Sequence, residues 1–258
     1  MQNIIDNNAI YNSLLKKKEK GIKSLSILID PDKTNEKKCR ALLNFCQETS
    51  PDFFMVGGSL ITNSQLEKII LCIKNHPCTA HIPVILFPNS YLHLSEKADG
   101  ILFLSLISGR NPEYLIGNHV IAAPLLKQSK LEVIPTGYML INCGNQTTVA
   151  YISNTTPIPY EKNDIAACTA MAGEMLGLKM LYIDGGSGAA KAISEEMIQT
   201  VRQATSIPLI VGGGIKKADA LEKAYSAGAD MVVIGSAVEA NPSLFQDFCL
   251  KVRELNKK

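Results

Sequence analysis

The sequence predicts an α/β protein of the (β/α)8 TIM-barrel class. Eight short apolar runs alternate with amphipathic segments, a pattern typical of βα units around a parallel sheet. Nearly every run ends at glycine, serine or aspartate, as strands that lead into turns do. The length of 258 residues suits a barrel of this kind, which needs roughly 250. No linker or low-complexity stretch interrupts the pattern, so we expect a single domain over residues 1–258.

Each predicted strand follows from an apolar run that stops at a turn signal. The strands are Ser24–Ile29, Phe53–Val56, Pro83–Phe87, Gly100–Leu104, Gly137–Ile141, Leu178–Ile183, Pro208–Val211 and Asp230–Ile234. The helices predicted between them include Glu36–Glu48, Ser64–Asn75, Asp164–Gly177, Ser194–Ala204, Lys217–Ala227 and Pro242–Leu255. Side-chain oxygens of Asn63, Asn163 and Ser194 are expected to cap helices. An extra helix is expected within residues 1–21, and Pro88–Ala98 is a weak helix or an irregular connection.

Composition excludes several classes of protein. The 26 basic and 24 acidic residues nearly cancel, whereas a dedicated nucleic-acid binder shows a basic excess, so we expect no nucleic-acid partner. No run approaches the roughly 18 apolar residues of a membrane span, and the polar N-terminus lacks a signal core. Seven dispersed cysteines without a CxxC pair predict reduced thiols, no zinc site and a cytoplasmic location.

Three glycine-rich turns follow the last three predicted strands: DGGSG, VGGGI and IGSA. Chain segments after the strands of this fold meet at one face, and enzymes of this class carry their sites there. Glycine lets backbone N–H groups approach a phosphate closely. The three turns together therefore predict a phosphate site, although each one alone could serve only as a tight turn.

Oxygen-bearing side chains follow the first two strands. Asp30 and Asp32 end the first strand, and Ser59 follows the second. Magnesium prefers one or two carboxylates together with substrate phosphates, so these residues could hold a metal-bound diphosphate. The alternative is a solvated Asp-Pro-Asp turn that only caps the next helix.

Asp184 ends the sixth strand and immediately precedes the DGGSG turn. A carboxylate beside a phosphate-binding turn can accept a proton from a substrate hydroxyl. Its alternative role is to orient the loop. The Lys16–Lys18 run is a solvated helix face or, in the alternative, an attraction site for a membrane surface.

Longer strings of residues add a family resemblance. The chain contains, in order, ILIDPDK, VGGS, LFLSLISGRNP, EVIPTGY, PIP, YIDGGSGA, VGGGI and ADMVVIGSA. Together these strings resemble geranylgeranylglyceryl phosphate synthases from about Lys23 to Pro242. VGGGI and the final string occur in many phosphate-binding barrels, whereas ILIDPDK combined with VGGS and YIDGGSGA is specific.

The resemblance implies transfer of a polyprenyl group from its diphosphate to the 3-hydroxyl of sn-glycerol 1-phosphate. It implies a Mg²⁺ ion that is held at Asp30 and Ser59 and carries the diphosphate. Because family members are usually oligomers, it also implies a homo-oligomer. The residues that match the glycerol-phosphate site are Tyr182, Ile183, Asp184, Gly185, Gly186, Ser187, Gly188, Gly213, Gly214, Gly235 and Ser236.

Three positions depart from the family pattern. Glutamate is commoner at Asp184 and asparagine at Ser236. The bacterial heptaprenylglyceryl phosphate synthases carry lysine where this chain has Leu28, which favours a geranylgeranyl donor here. The prenyl chain requires an apolar groove, for which Phe54, Phe87, Phe103 and Leu106 are candidates and equally good core residues.

Two other functions compete with prenyl transfer. A phosphosugar isomerase or related phosphate-binding barrel shares the VGGGI and IGSA turns but needs neither Asp30 with Ser59 nor an apolar groove. A non-catalytic phosphate-binding barrel needs no proton acceptor at Asp184. Magnesium-dependent release of diphosphate from a polyprenyl diphosphate distinguishes the three.

Overall fold

The computed structural model describes residues 8–59, 65–88, 90 and 93–257. Eight parallel strands close into a barrel in which each strand pairs with its sequence neighbours and β8 returns to β1. The strands are β1 Ser24–Ile29, β2 Phe53–Gly57, β3 Val84–Phe87, β4 Gly100–Leu106, β5 Glu132–Leu140, β6 Met180–Asp184, β7 Leu209–Gly212 and β8 Met231–Ile234. This closed parallel barrel confirms the predicted fold class.

Helices surround the barrel. They are α1 Ala9–Glu19, α2 Glu36–Leu43, α3 Leu66–Lys74, α4 Asn118–Gln128, α5 Thr148–Ile152, α6 Asn163–Met175, α7 Glu195–Ala204, α8 Ala218–Ser226, α9 Ser236–Ala240 and α10 Leu244–Leu255. A 3₁₀ turn, Asn44–Gln47, extends α2, and a π-helical turn, Glu113–Gly117, leads into α4. Among the described residues no helix is long and apolar enough to cross a membrane.

The helix caps agree only in part with the prediction. Ser194 caps α7, because its hydroxyl accepts the Met197 N–H at 3.2 Å. The prediction for Asn163 is wrong: this residue is already the first residue of α6, and its side-chain oxygen has no hydrogen-bond partner among the described residues. The predicted cap at Asn63 lies outside the described residues.

Strand alternation divides the core into two layers. Inward-facing side chains such as Met55, Ile85 and Met231 fill the barrel, while outward-facing side chains such as Ile27 and Leu181 pack beneath the helices. Successive side chains of a strand point to opposite faces, so residues two positions apart in a strand share a face. Tyr182 and Asp184 therefore face the barrel interior together.

Helix α1 closes the amino-terminal end of the barrel. Ile10 and Leu14 join the inner layer, and the buried Glu132 carboxylate, at the start of β5, accepts the Ile10 and Tyr11 N–H groups at 2.7 Å each. A carboxylate at a helix N-terminus satisfies free N–H groups and the helix dipole. Lys16–Lys18 therefore lie at the end of the barrel opposite the carboxyl ends of the strands. Lys17 itself forms an ion pair with Asp52.

The pairing between neighbouring strands is shortest at one seam of the closed barrel. Strands β3 and β4 pair only at Ile85–Gly100 and Leu86–Ile101, although β4 continues to Leu106. The described residues of the β3–β4 connection, 88, 90 and 93–99, form no helix. No helix from the described part of this connection therefore covers the β3–β4 seam.

Candidate active site

A cavity of about 320 Å³ lies at the carboxyl end of the barrel. Its walls come from the turns that follow β1, β2, β6, β7 and β8. Of the predicted binding residues, those that line it are Asp30, Ser59, Tyr182, Asp184, Gly186, Ser187, Gly188, Gly213, Gly214, Gly235 and Ser236. The structure thus brings the predicted metal and phosphate residues into one chamber.

Three residues of the predicted sites lie elsewhere. Ile183 is fully buried in the outer layer, because it alternates with the inward-facing Tyr182 and Asp184. Gly185 packs instead against Cys143, whose sulfur would be 3.0 Å from any added Cβ. Asp32 is exposed and lies outside the cavity lining formed by the described residues, whereas Asp30 belongs to that lining.

The turn after β7 needs glycine for conformational and steric reasons. Gly213 has φ +81°, and a Cβ there would lie 2.6 Å from the Gly185 nitrogen. A side chain at this position would therefore force the turns after β6 and β7 apart. Gly235, in contrast, has φ −123° and would hold a Cβ at an ordinary 3.5 Å from Leu28.

Asp184 links the inner barrel to its phosphate turn. One carboxylate oxygen accepts the Gly186 N–H at 2.8 Å, and the other accepts the Tyr138 hydroxyl at 2.6 Å. Burial raises the pKa of Asp184, while these two hydrogen bonds act in the opposite direction. The residue is thus oriented firmly and yet binds a proton more readily than an exposed aspartate.

Tyr138 is a site residue that sequence reasoning missed. Its ring packs edge-on against Tyr182 at 5.5 Å and against Phe87 at 5.9 Å, forming an aromatic floor beneath the cavity. It lies in β5 on the inward face, two positions before Leu140, so strand alternation from the EVIPTGY string could have indicated its direction. Its partner Asp184 is 46 positions away, a pairing that local sequence does not reveal.

A second polar cluster lies across the cavity. The Lys33 ammonium is 3.0 Å from an Asp30 carboxylate oxygen, 3.7 Å from a Glu239 oxygen and 3.0 Å from the Ser187 hydroxyl. Burial raises the pKa of Glu239, an effect that Lys33 partly offsets. Burial works against the charge on Lys33, but Glu239 and Asp30 outweigh it, and the pKa of the ammonium is raised.

An apolar groove continues from this cavity. Gly58, Ser59 and Phe87 line both spaces, and the groove then runs through the β3–β4 seam toward α4. The predicted residues Phe87, Phe103 and Leu106 line it. The prediction for Phe54 is wrong, because its side chain is fully buried under the helices.

His119 is a polar side chain of the groove that the sequence did not suggest. Its ring stands edge-on to Phe103 at 4.4 Å, and its Nε2 lies 3.2 Å from the Ser105 hydroxyl. Burial lowers the pKa of His119, which favours the neutral ring in these surroundings. The groove is therefore uncharged along the lining that the structure describes, and it suits a hydrocarbon chain.

A TIM barrel whose glycine-rich turns surround a cavity lined by both acidic and basic side chains is typical of phosphate-binding barrel enzymes. The chain is a member of the PcrB family, whose model matches residues 16–253. This match and the relatives described next confirm the resemblance that the sequence strings indicated.

Relatives in several organisms carry one name. The chain is 51% identical over 237 residues to geranylgeranylglyceryl phosphate synthase of Spirosoma linguale, covering 92% of this chain and 94% of the relative. It is 39% identical over 219 residues to the enzyme of that name from Pyrococcus furiosus, covering 84% and 85% of the two chains. The barrel also matches the crystal structure of (S)-3-O-geranylgeranylglyceryl phosphate synthase from Thermoplasma acidophilum in complex with sn-glycerol-1-phosphate. That match has a TM-score of 0.87 at 32% identity and covers 95% of this chain and 98% of the other.

Proposed function

We propose that this chain joins a polyprenyl group, geranylgeranyl by preference, to the 3-hydroxyl of sn-glycerol 1-phosphate and releases diphosphate. One observation carries the proposal: the cavity of about 320 Å³ adjoins an apolar groove, and Gly58, Ser59 and Phe87 line both. A phosphosugar isomerase needs the chamber but has no use for the groove. The names of the relatives support the same activity.

The glycine turns after β6, β7 and β8 would hold the acceptor phosphate. Backbone N–H groups bind phosphate without a charged side chain, and left-handed glycines such as Gly186 and Gly188 let those groups converge. The bound sn-glycerol-1-phosphate of the Thermoplasma relative supports this assignment. With its phosphate fixed, the acceptor has one hydroxyl directed at the donor carbon.

Asp30 and Ser59 would hold a Mg²⁺ ion together with the donor diphosphate. The donor set fits: a carboxylate with 13% of its side chain exposed and a hydroxyl residue line the same wall of the cavity. The described residues contain no group of three or more His, Cys, Asp or Glu side chains suited to hold a metal alone, so the phosphates would supply most ligands. A bound magnesium ion would neutralise charge on the departing diphosphate.

Asp184 would take up or orient the proton of the attacking hydroxyl. It lies on the cavity wall directly before the turn assigned to the same substrate's phosphate. Its raised pKa brings it closer to the proton affinity that a general base needs. Tyr138 and the Gly186 N–H would hold the carboxylate in one orientation while the proton moves.

The proposal is tested by diphosphate release from geranylgeranyl diphosphate. We expect release to require both Mg²⁺ and sn-glycerol 1-phosphate, because the acceptor oxygen displaces the leaving group. Release without acceptor would indicate a diphosphatase. No release from this or a longer prenyl donor would exclude prenyl transfer and leave the isomerase-like and non-catalytic alternatives.

Gly235→Ala should weaken the binding of sn-glycerol 1-phosphate without destabilising the fold. The new methyl group meets only ordinary contacts at Leu28, but it enters the cavity beside Ser236. One buried hydrogen bond left unmade corresponds to about 1–3 kcal/mol, so we expect sn-glycerol 1-phosphate to bind about 10- to 100-fold more weakly. Isothermal titration measures this, with inorganic diphosphate plus Mg²⁺ as the ligand that should bind normally. Equal weakening of both ligands would contradict the assignment of this turn to the acceptor.

The proposal also includes a homo-oligomer formed through the outer face of α4. Four large apolar side chains of α4 and of the π-helical turn before it are about half exposed or more: Ile116 in the turn, and Val120, Ile121 and Leu125 in the helix. Helix α4 packs its other face, with His119, Ala122 and Leu126, toward the groove. An apolar stripe of this kind on a globular protein favours burial against a second copy.

Val120→Asp combined with Leu125→Asp should therefore convert the oligomer to monomers. The measurement is molar mass by light scattering after size exclusion. Leu250→Asp, on the exposed side of α10, is the matched control that should leave the mass unchanged. If the double variant keeps the mass of the parent but loses binding to anionic lipid vesicles, the face contacts a membrane surface instead.

A further inference from the structure

The side chain of Lys33 joins the two halves of the active-site cavity. Lys33 lies in the turn after β1, on the side assigned to the donor diphosphate, but its ammonium donates to the hydroxyl of Ser187 in the turn after β6. Ser187 in turn lies 3.3 Å from Ser236 in the turn after β8. A single ammonium group is thus within reach of both predicted phosphate positions.

Lys33 is also the counter-ion of two carboxylates. Its ammonium pairs with Asp30 Oδ2 at 3.0 Å and with Glu239 Oε2 at 3.7 Å. The second oxygen of each carboxylate accepts a backbone N–H group: Asp30 Oδ1 accepts the Asp32 N–H, and Glu239 Oε1 accepts the Asp30 N–H. Any cation that coordinates Asp30 Oδ2 must compete with this ammonium group.

The geometry leaves Lys33 able to move. About half of its side chain is exposed, whereas the Asp30 and Glu239 side chains are only 13% and 17% exposed. A lysine has a flexible four-carbon stem and three equivalent donors, so it can exchange acceptors without moving the backbone. Phosphate oxygens, which carry more charge than a serine hydroxyl, are stronger acceptors for it.

We propose that Lys33 is an exchangeable counter-ion that couples binding of the diphosphate to binding of the cation at Asp30. Before substrates enter, its ammonium neutralises Asp30 and Glu239. When phosphates enter, it transfers its hydrogen bonds to their oxygens and releases Asp30 Oδ2 to the cation. This inference rests on the proposed function and assigns a further binding residue to the same site.

Two opposite effects on binding follow from this exchange. Without Lys33, a divalent cation alone meets no competitor at Asp30 and binds more tightly. Without Lys33, however, a diphosphate loses an ammonium donor and binds more weakly. If Lys33 only stabilised the turn, its loss would weaken the binding of both ligands.

The experiment measures binding of Mn²⁺ by electron paramagnetic resonance and of inorganic diphosphate with Mn²⁺ by titration calorimetry. For Lys33→Met and Lys33→Gln we expect Mn²⁺ alone to bind about tenfold more tightly and diphosphate about tenfold more weakly than to the parent protein. Lys216→Met is the matched control, because Lys216 lines the same cavity but donates to the Ala190 carbonyl.

The outcomes separate this inference from the function on which it rests. If the parent protein binds diphosphate with Mn²⁺ but the Lys33 variants behave like it or like Lys216→Met, the exchange by Lys33 is wrong and the proposed function stands. If both ligands bind more weakly to the two Lys33 variants, Lys33 only stabilises the turn. If the parent protein binds no diphosphate in the presence of Mn²⁺, the proposed donor site is overturned and this inference with it.

Discussion

Asp30→Asn should reduce prenyl transfer on the order of 10³-fold, since a metal-bound leaving group supplies several kcal/mol to the reaction. The fold should persist, because the asparagine oxygen can still accept the Asp32 N–H that Asp30 now accepts at 3.0 Å. Binding of sn-glycerol 1-phosphate should change little, since the turns after β6, β7 and β8 are assigned to it. Initial rates at limiting Mg²⁺, together with titration of the acceptor, measure both effects.

Asp32→Asn is the matched control for this variant. It removes the same charge from the same Asp-Pro-Asp turn, but the Asp32 side chain is exposed and does not belong to the described cavity lining. We expect nearly parental rates from it. Parental turnover of Asp30→Asn at limiting Mg²⁺ would contradict the assignment of Asp30 to the metal.

Asp184→Asn should lower kcat by about 10²–10⁴, the range that positioned acid–base groups supply. The amide keeps the size of the side chain and can still accept the Gly186 N–H, but it cannot take up a proton. The affinity for sn-glycerol 1-phosphate should stay nearly constant, which separates catalysis from loop anchoring. If the Asp184→Asn variant is as fast as the parent protein while chemistry limits the rate, Asp184 only anchors the turn.

The pH dependence gives a second readout for the same residue. A base acts only when deprotonated, and burial raises the pKa of Asp184, so activity should fall on acidification at a higher pH than an ordinary aspartate would cause. Tyr138→Phe removes a hydrogen bond that lowers this pKa. The acid limb of kcat should therefore move to still higher pH in Tyr138→Phe and vanish in Asp184→Asn. Asp184→Glu, the commoner family residue, should retain activity where the turn accommodates one more methylene group.

The sequence predicted the barrel well because its signals are local. Alternating apolar runs and glycine turns located all eight strands, and the ends of those strands located the cavity. The largest error is the start of β5, which begins at Glu132 and not at Gly137. Pro135 lacks an N–H donor and therefore discourages a strand assignment, yet its carbonyl still accepts the Lys179 N–H at 2.8 Å.

The parts of the site that the sequence did not reveal depend on contacts between distant positions. Lys33 meets Ser187, 154 positions away, and Tyr138 meets Asp184. Glu239 follows the IGSA turn at a place where only the closed barrel sets it beside Asp30. The groove likewise depends on an incomplete β3–β4 pairing, which hydrophobic periodicity cannot distinguish from a complete one. Strand order could place the turns, whereas side-chain pairing across the barrel depends on the folded structure.

The most direct test of ether-bond formation uses sn-glycerol 1-phosphate labelled with ¹⁸O at the 3-hydroxyl. The protein is incubated with this acceptor, geranylgeranyl diphosphate and Mg²⁺, and both products are analysed by mass spectrometry. Because the acceptor oxygen attacks the allylic carbon, we predict a lipid that retains ¹⁸O in its ether bond and a diphosphate that carries none. A labelled diphosphate, or consumption of the donor without an ether lipid, would contradict the account.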